Sequence, residues 1–231
     1  MAMIEHREWR RAPATFRQRF IVGVDLGQST DPTAIAVLHW RSRPLDTWTH
    51  DNFLHRQDVQ EHIDVRHLER LPLGMAYPAV VQHVANLLAR PPLCGDEDFT
   101  AAELVIDETG VGRAVGDIFE AAGMRPKRVT ITAGTEATRG HGLNRYHVAK
   151  TILISQLDAA LHTGRLRFAS ALADAEAMAE ELKDFRRKVS DAGRSSYAAR
   201  TGSHDDLVLA VAIAIWWFNQ PPPPVPTFAY Y

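Results

Sequence analysis

Three aspartate positions stand where apolar segments begin or stop. Asp25 closes the run Phe20-Ile21-Val22-Gly23-Val24, Asp107 closes Leu104-Val105-Ile106, and Asp205 and Asp206 open the stretch that ends at Phe218. A single acid after a strand is most simply a turn cap, but three such positions are harder to dismiss. Carboxylates brought together from three elements repel one another and cannot all stay ionised without a cation. Hard oxygen ligands select Mg²⁺ or Mn²⁺. Two such ions about 3.5–4 Å apart are the usual device for in-line attack on a phosphodiester, one side activating water and the other stabilising the leaving oxygen.

The elements that would carry these acids can be read from periodicity. Phe20 to Asp25 is a short apolar run that reads as a buried strand entering a turn at Gly27; Ala34 to Trp40 and Trp48 to His55 read as second and third strands. Helical spacing marks Pro78 to Leu88, and Glu103 to Asp107 is a further strand. Ala114 to Ala122 is a helix that Gly123 can end. Arg128 to Thr132 alternates as a strand, and His147 to His162, Ala171 to Phe185 and Asp205 to Phe218 read as helices. Gly164 takes a C′-like place and Ser203 is an N-cap candidate. The order predicts an α/β fold, a mixed sheet with an antiparallel meander start and then parallel strands, flanked by helices. The meander separates it from a doubly wound dinucleotide fold. Residues 1–19, with Arg7, Arg10, Arg11, Arg17 and Arg19, read as a basic N-terminal arm. Residues 20–218 read as the domain, and 219–231 as an extended Pro-rich tail containing four consecutive prolines, Pro221 to Pro224.

The chain resembles the nuclease domain of the tailed-phage terminase large subunit, a branch of the ribonuclease H-like superfamily. The matching stretches are Val22-Gly-Val-Asp-Leu-Gly-Gln-Ser-Thr-Asp-Pro-Thr-Ala34 and Val105-Ile-Asp-Glu-Thr-Gly-Val-Gly112, followed by Val148-Ala-Lys150 and Gly164-Arg-Leu-Arg167. The most specific is Gly202-Ser-His-Asp-Asp-Leu-Val-Leu-Ala210. The resemblance implies that Asp25, Asp107 and Asp206 are the catalytic metal ligands, with Asp205 adjacent and open as a ligand itself. It implies two Mg²⁺ or Mn²⁺ ions, double-stranded DNA as substrate, and endonucleolytic hydrolysis during phage genome packaging or processing. It also points to a separate packaging ATPase, a small terminase subunit or a portal as partners, in the cytoplasm of a bacterial host. Glu108 competes with Asp107, but would face the other side of a continuing strand. Ala149 stands where the family commonly has the proline of Val-Pro-Lys. No Gly-Lys dipeptide occurs in the chain, so it lacks the phosphate loop of the ATPase that precedes the nuclease in that family.

Around the acids, His204, Lys150 and Gln28 form a supporting tier. His204 reads either as a metal or phosphate contact or as a solvated helix-entry residue, and Lys150 as a phosphate contact or a solvated base. Gln28 and Asp31 lie in the loop after Asp25, where Asp31-Pro32-Thr33 is also a good turn. Between Met124 and Lys150, Arg125, Lys127, Arg128, Arg139, Arg145 and Lys150 face only Glu136, a net +5. Between Lys183 and Arg200, Lys183, Arg186, Arg187, Lys188, Arg194 and Arg200 face Asp184 and Asp191, a net +4. Two such runs fit a polyanionic backbone, with Arg128, Arg139, Arg145, Lys150, Arg187 and Lys188 as candidate DNA contacts. The segment from Thr132 to His147 looks like a mobile loop over the site.

Whole-chain charge alone, 26 Lys and Arg against 28 Asp and Glu, gives no sign of a nucleic-acid partner. Once the two basic runs are separated, the rest of the chain is strongly acidic. A single cysteine, Cys94, excludes an internal disulfide and a cysteine-based zinc site. No uninterrupted apolar stretch of about 18 residues occurs and the start is too charged for a signal peptide, which predicts a soluble intracellular protein. Three other readings remain open: a Holliday-junction resolvase-like nuclease with the same acids, a non-cleaving DNA-binding module, and an actin-like ATPase suggested by Val24-Asp25-Leu26-Gly27. The last would need a second such loop, which the chain does not contain.

Overall fold

The computed structural model describes residues 10–27, 31–51, 54–97, 100–111, 113–169, 171–186 and 205–220. Among them run strands β1 (Arg10–Ala12), β2 (Arg17–Asp25), β3 (Ala34–Asp51), β4 (Leu54–Arg70), helix α1 (Tyr77–Leu88), β5 (Glu103–Asp107) and α2 (Arg113–Ala121). There follow β6 (Lys127–Thr132), β7 (Ala137–Arg139), β8 (Arg145–Ala149), α3 (Lys150–His162), β9 (Leu166–Phe168), α4 (Ala175–Arg186) and α5 (Asp206–Phe218). One mixed sheet holds all these strands in the order β1-β4-β3-β2-β5-β6-β8-β7, with β9 against β4. β2, β3 and β4 form the antiparallel meander, and β2, β5, β6 and β8 run parallel to one another.

Two apolar clusters sandwich the sheet. Phe20, Val22 and Val24 of β2 pack with Leu104 and Ile106 of β5 against α1 and α2. Ile21 of β2 and Val105 of β5 face the other way, towards α3, α4 and α5. This is the period-two alternation of a strand covered on both faces. Every residue of α5 from Asp206 to Trp216 is buried, which explains a helix apolar all round: it lies between the sheet and α3 and α4. Gly23 makes this packing possible. A Cβ there would lie 2.1 Å from the Ala210 carbonyl oxygen, so only glycine lets α5 approach β2 so closely.

Several expectations are corrected. The second and third strands do not break between Trp40 and Trp48: β3 runs through to Asp51, and a register irregularity between Pro44 and Trp48 takes up the proline. β4 pairs antiparallel with β3, and only its first two residues, Leu54 and His55, fall within the expected third strand. The third helix begins at Lys150 because Arg145–Ala149 is a parallel strand beside β6. Nor is Thr132 to His147 an open loop, since β7 pairs antiparallel with β8 inside it. Within the supposed N-terminal arm, Arg10–Ala12 pairs with β4 and β2 already starts at Arg17. The C′ glycine is as expected, with Gly164 at φ 67°. Ser203 and residues 221–231 of the Pro-rich tail lie outside the described residues.

Candidate active site

The parallel register of β2 and β5 sets Asp25 directly beside Asp107, at a backbone spacing of about 4.8 Å. Both acids have the parity of Ile21 and Val105, so both face α5. Asp206, the first residue of α5, lies one helical turn before Ala210, which touches Gly23 two residues before Asp25. The sequence thus brings the three acids together through one strand pair and one helix contact. Asp205 occupies the N-cap position of α5 without a side-chain capping bond. The chain after Asp25 is pinned: Gly27 N–H donates to Thr33 Oγ1 at 3.1 Å, and Tyr77 donates to the Gly27 carbonyl at 3.2 Å.

The electrostatics of the cluster are dominated by crowding. Burial pushes the Asp25 carboxyl well up, and repulsion from Asp107, Asp205 and Asp206 pushes the same way against the pull of Lys150. Asp107 is pushed up to about 6, chiefly by burial, while hydrogen bonds from Thr109 and the charge of Lys150 oppose the rise. Each of the other acids is held by a partner. Lys150 Nζ lies 2.6 Å from Asp205 Oδ2, and Arg70 Nε lies 2.7 Å from Asp206 Oδ2. Thr109 donates to Asp107 Oδ1 through both its backbone N–H (2.8 Å) and its hydroxyl (2.5 Å).

These residues fit divalent cations by chemistry: the donors are all carboxylate oxygens, Asp107 and Asp206 are buried, and the set is more repulsive than its neighbours neutralise. Among the described residues, no three His, Cys, Asp or Glu side chains form a ready-made metal cage. In this arrangement the carboxylates of Asp206 and Asp205 are instead turned to Arg70 and Lys150.

Of the supporting residues, Lys150 joins the acids as an ion-pair partner of Asp205. His204, Gln28, Arg187 and Lys188 lie outside the described residues. Arg139 is exposed on β7, and Arg145 is half-buried with its guanidinium 3.7 Å from Asp117. Arg128 is a correction. It is fully buried, and its guanidinium binds Glu108 (2.8 Å), Asp117 (2.8 Å), Glu120 (3.0 Å) and the Arg113 carbonyl (2.6 Å). It joins β6 to α2 and offers nothing to a DNA backbone. Glu108 is accordingly engaged on the α2 side of the sheet, away from Asp107.

Sequence reasoning missed Arg70, Glu181 and Thr109. Arg70 ends β4 and pairs with both Asp206 and Glu181. Glu181, buried on α4, also accepts the Val208 N–H at 3.0 Å, satisfying a helix-start donor that no capping side chain of Asp205 serves. The signal for Glu181 was its spacing, three residues after the buried Met178. Arg70 lay in a segment assigned to no element. Thr109 was assigned to a turn; its hydroxyl also accepts the Ile131 N–H at 2.6 Å.

The mixed sheet, with its antiparallel meander, its parallel strands and helices on both faces, is the fold class that the sequence order implied. The structural neighbours are terminase large-subunit nucleases. The large terminase nuclease from thermophilic phage G20c superposes with a TM-score of 0.51 at 21% identity, over 85% of this chain and 81% of that one. The large terminase of a second thermophilic bacteriophage matches with a TM-score of 0.49 at 10% identity, over 90% of this chain and 42% of that chain. The human cytomegalovirus terminase nuclease domain, soaked with Mn, gives 0.49 at 11%, over 87% and 82%. No family model and no curated protein matches the chain. Among the described residues no helix is long and apolar enough to cross a membrane.

Proposed function

We propose that this chain is a Mg²⁺- or Mn²⁺-dependent endodeoxyribonuclease that hydrolyses phosphodiester bonds of double-stranded phage DNA during genome processing in the bacterial cytoplasm. The observation that carries the reading is the register pairing of Asp25 with Asp107 on the face where α5 delivers Asp206. Asp25, Asp107 and Asp206, with Asp205 beside them, would hold two divalent cations. Bound there, the ions would supply charge neutralisation at a phosphate and acidify a water. Thr109 fixes the Asp107 carboxylate, and Glu181 holds both Arg70 and the start of α5. Lys150 and Arg70 balance part of the acid charge, and a cationic side chain beside a polyanion's path also favours the phosphate. A packaging ATPase, small terminase subunit or portal would be its partners in that process.

The test is incubation of the full chain with supercoiled, linear and four-way-junction DNA, in Mn²⁺ and in EDTA. Nicking and linearisation in Mn²⁺ alone, without preference for the junction, is the expected result. Strong preference for the junction would move the reading to a resolvase. Binding without any cleavage would move it to a DNA-binding module.

A further inference from the structure

Four arginines that belong to neither basic run of the sequence come together on one face of the sheet. Phe20, Ile35 and Val37 lie on that face in the cluster shared with α1 and α2. Further along the same side, His39, Arg41 and Arg43 of β3 stand opposite Asp64, His62 and Gln60 of β4. The stacking of His39 on Phe20, with ring centroids 4.2 Å apart, fixes which side this is. β9 sets Arg167 beside Asp64 in the next row, and the Arg167 guanidinium donates to His62 Nε2 at 2.9 Å. Arg66 follows at the irregular register of β3 and β4. Burial and then Arg167, Arg41 and Arg43 hold the His62 imidazole below its ordinary range, against the pull of Asp64. His39 is held at about 4 by burial and then by Arg41 and Arg66, so both rings feel one shared positive field. Arg43, Arg66 and Arg167 are exposed. Asp64, the carboxylate among them, is buried and spent on Arg41. Among the described residues no carboxylate forms an ion pair with the other three.

We propose that this arginine face holds the phosphate backbone of duplex DNA away from the cut site. A phosphate bound here is not the scissile one. Ala34 pairs with Asp25, and Arg41 lies about 24 Å further along β3, on the side of the sheet opposite α5. The face therefore grips a different length of the substrate. Arg41 and Arg43 stand about 7 Å apart along one strand, and β3, β4 and β9 together spread the guanidiniums over about 10 Å across the sheet. That is room for more than one phosphate. A guanidinium presents a planar fork of donors that matches phosphate oxygens in pairs, and an approaching polyanion relieves the repulsion among the arginines. The neighbours favour a nucleic acid over an acidic protein. Gln60 and His62, between the arginines, are polar, whereas protein partners need a buried apolar anchor at the centre of the contact. Contacts with DNA are polar and strongly positive. The proposal rests on the nuclease reading only for the choice of DNA as the polyanion, since no residue of the acid cluster takes part.

The experiment compares the full chain with its triple variant Arg43→Gln, Arg66→Gln, Arg167→Gln, by titrating duplex DNA in EDTA over a series of salt concentrations. The three side chains are exposed, so the melting temperature should not change. The expected result is weaker binding with a shallower dependence of log affinity on log salt, by about one unit of slope for each arginine removed. In Mn²⁺, the nicking rate at saturating DNA should stay at the wild-type value while the DNA concentration for half-maximal rate rises. An unchanged salt slope would overturn the proposal. Loss of nicking at saturating DNA would also overturn it, by placing the arginines at the cut site. Poly-glutamate bound as tightly as DNA by the wild type, and lost in the variant, would replace DNA with an acidic protein. A shallower slope in a chain whose wild type does not nick would end the nuclease reading and leave the arginine face as a DNA contact.

Discussion

At the scale of single residues, the site depends on holding repelling acids in one place. Thr109 does this for Asp107 with two hydrogen bonds while its hydroxyl also receives the Ile131 N–H. Groups that orient metal ligands typically contribute about 10–100-fold. Thr109→Val should therefore lower the Mn²⁺-dependent nicking rate by about tenfold, read in plasmid assays, with little change in melting temperature. Asp25 behaves in the opposite sense. Its buried charge is opposed by Asp107, Asp205 and Asp206, so Asp25→Asn should raise the melting temperature measured in EDTA while eliminating cleavage. A lower melting temperature would mean that the acids are not crowded as described. Arg128 is a charge that serves the fold. Arg128→Met strands buried Glu108, and breaking such a pair costs about 3–5 kcal/mol. Denaturant unfolding should show that loss, and DNA affinity of the folded variant should be unchanged.

At the scale of elements, the close approach of α5 to β2 sets the geometry. Gly23→Ala would drive a Cβ into the Ala210 carbonyl, and overpacking of this kind costs about 1–3 kcal/mol. Because any shift of α5 carries Asp206 with it, activity below the melting range should fall by a larger factor than stability alone accounts for. Equal activity per folded molecule would show that Asp206 is not positioned through this contact. Much of this frame was legible in the sequence. β5 was read with its observed bounds, and α1, α2 and α5 within a residue or so, because each has an unambiguous apolar period. The acids were legible because each sits at the edge of such a run. β3 and β4 were not, since Pro44 mimics a break that an irregular register absorbs, and β4 beyond His55 mixes polar and apolar residues on a half-exposed strand. β8 merged into the helix after it, because Val148 and Ala149 are buried in either assignment. Arg70 and Glu181 were hidden for a related reason: their role exists only once β4, α4 and α5 are packed together. The basic run at Arg128 misled because linear charge density does not distinguish a buried guanidinium from an exposed one.

At the scale of the whole molecule, a near-neutral chain divides into a crowded acid cluster and basic stretches. Stability should carry a signature at mildly acidic pH from a group remote from the acids. His39, stacked on Phe20, has its pKa lowered from 6.5 to about 4, first by burial and then by Arg41 and Arg66. The unfolded chain takes up that proton below about 6.5 and the folded chain does not, so the contribution is complete above 6.5 and lost as pH falls towards 4. The raised carboxyls of Asp25 and Asp107 act in the opposite sense in both chains, so the urea midpoint of the wild type should fall relative to that of His39→Gln across that window. A midpoint curve unchanged by His39→Gln would show that another group carries the acid lability. The central claim, that Asp25, Asp107 and Asp206 form one metal-dependent nuclease site, is tested most directly by plasmid nicking in Mn²⁺. The wild-type chain should be compared with Asp25→Asn, Asp107→Asn and Asp206→Asn, each confirmed folded by its melting curve. All three variants should lose at least about 100-fold in rate, in keeping with the loss of a group acting on the transition state. Cleavage at the wild-type rate by any one of them would contradict the account.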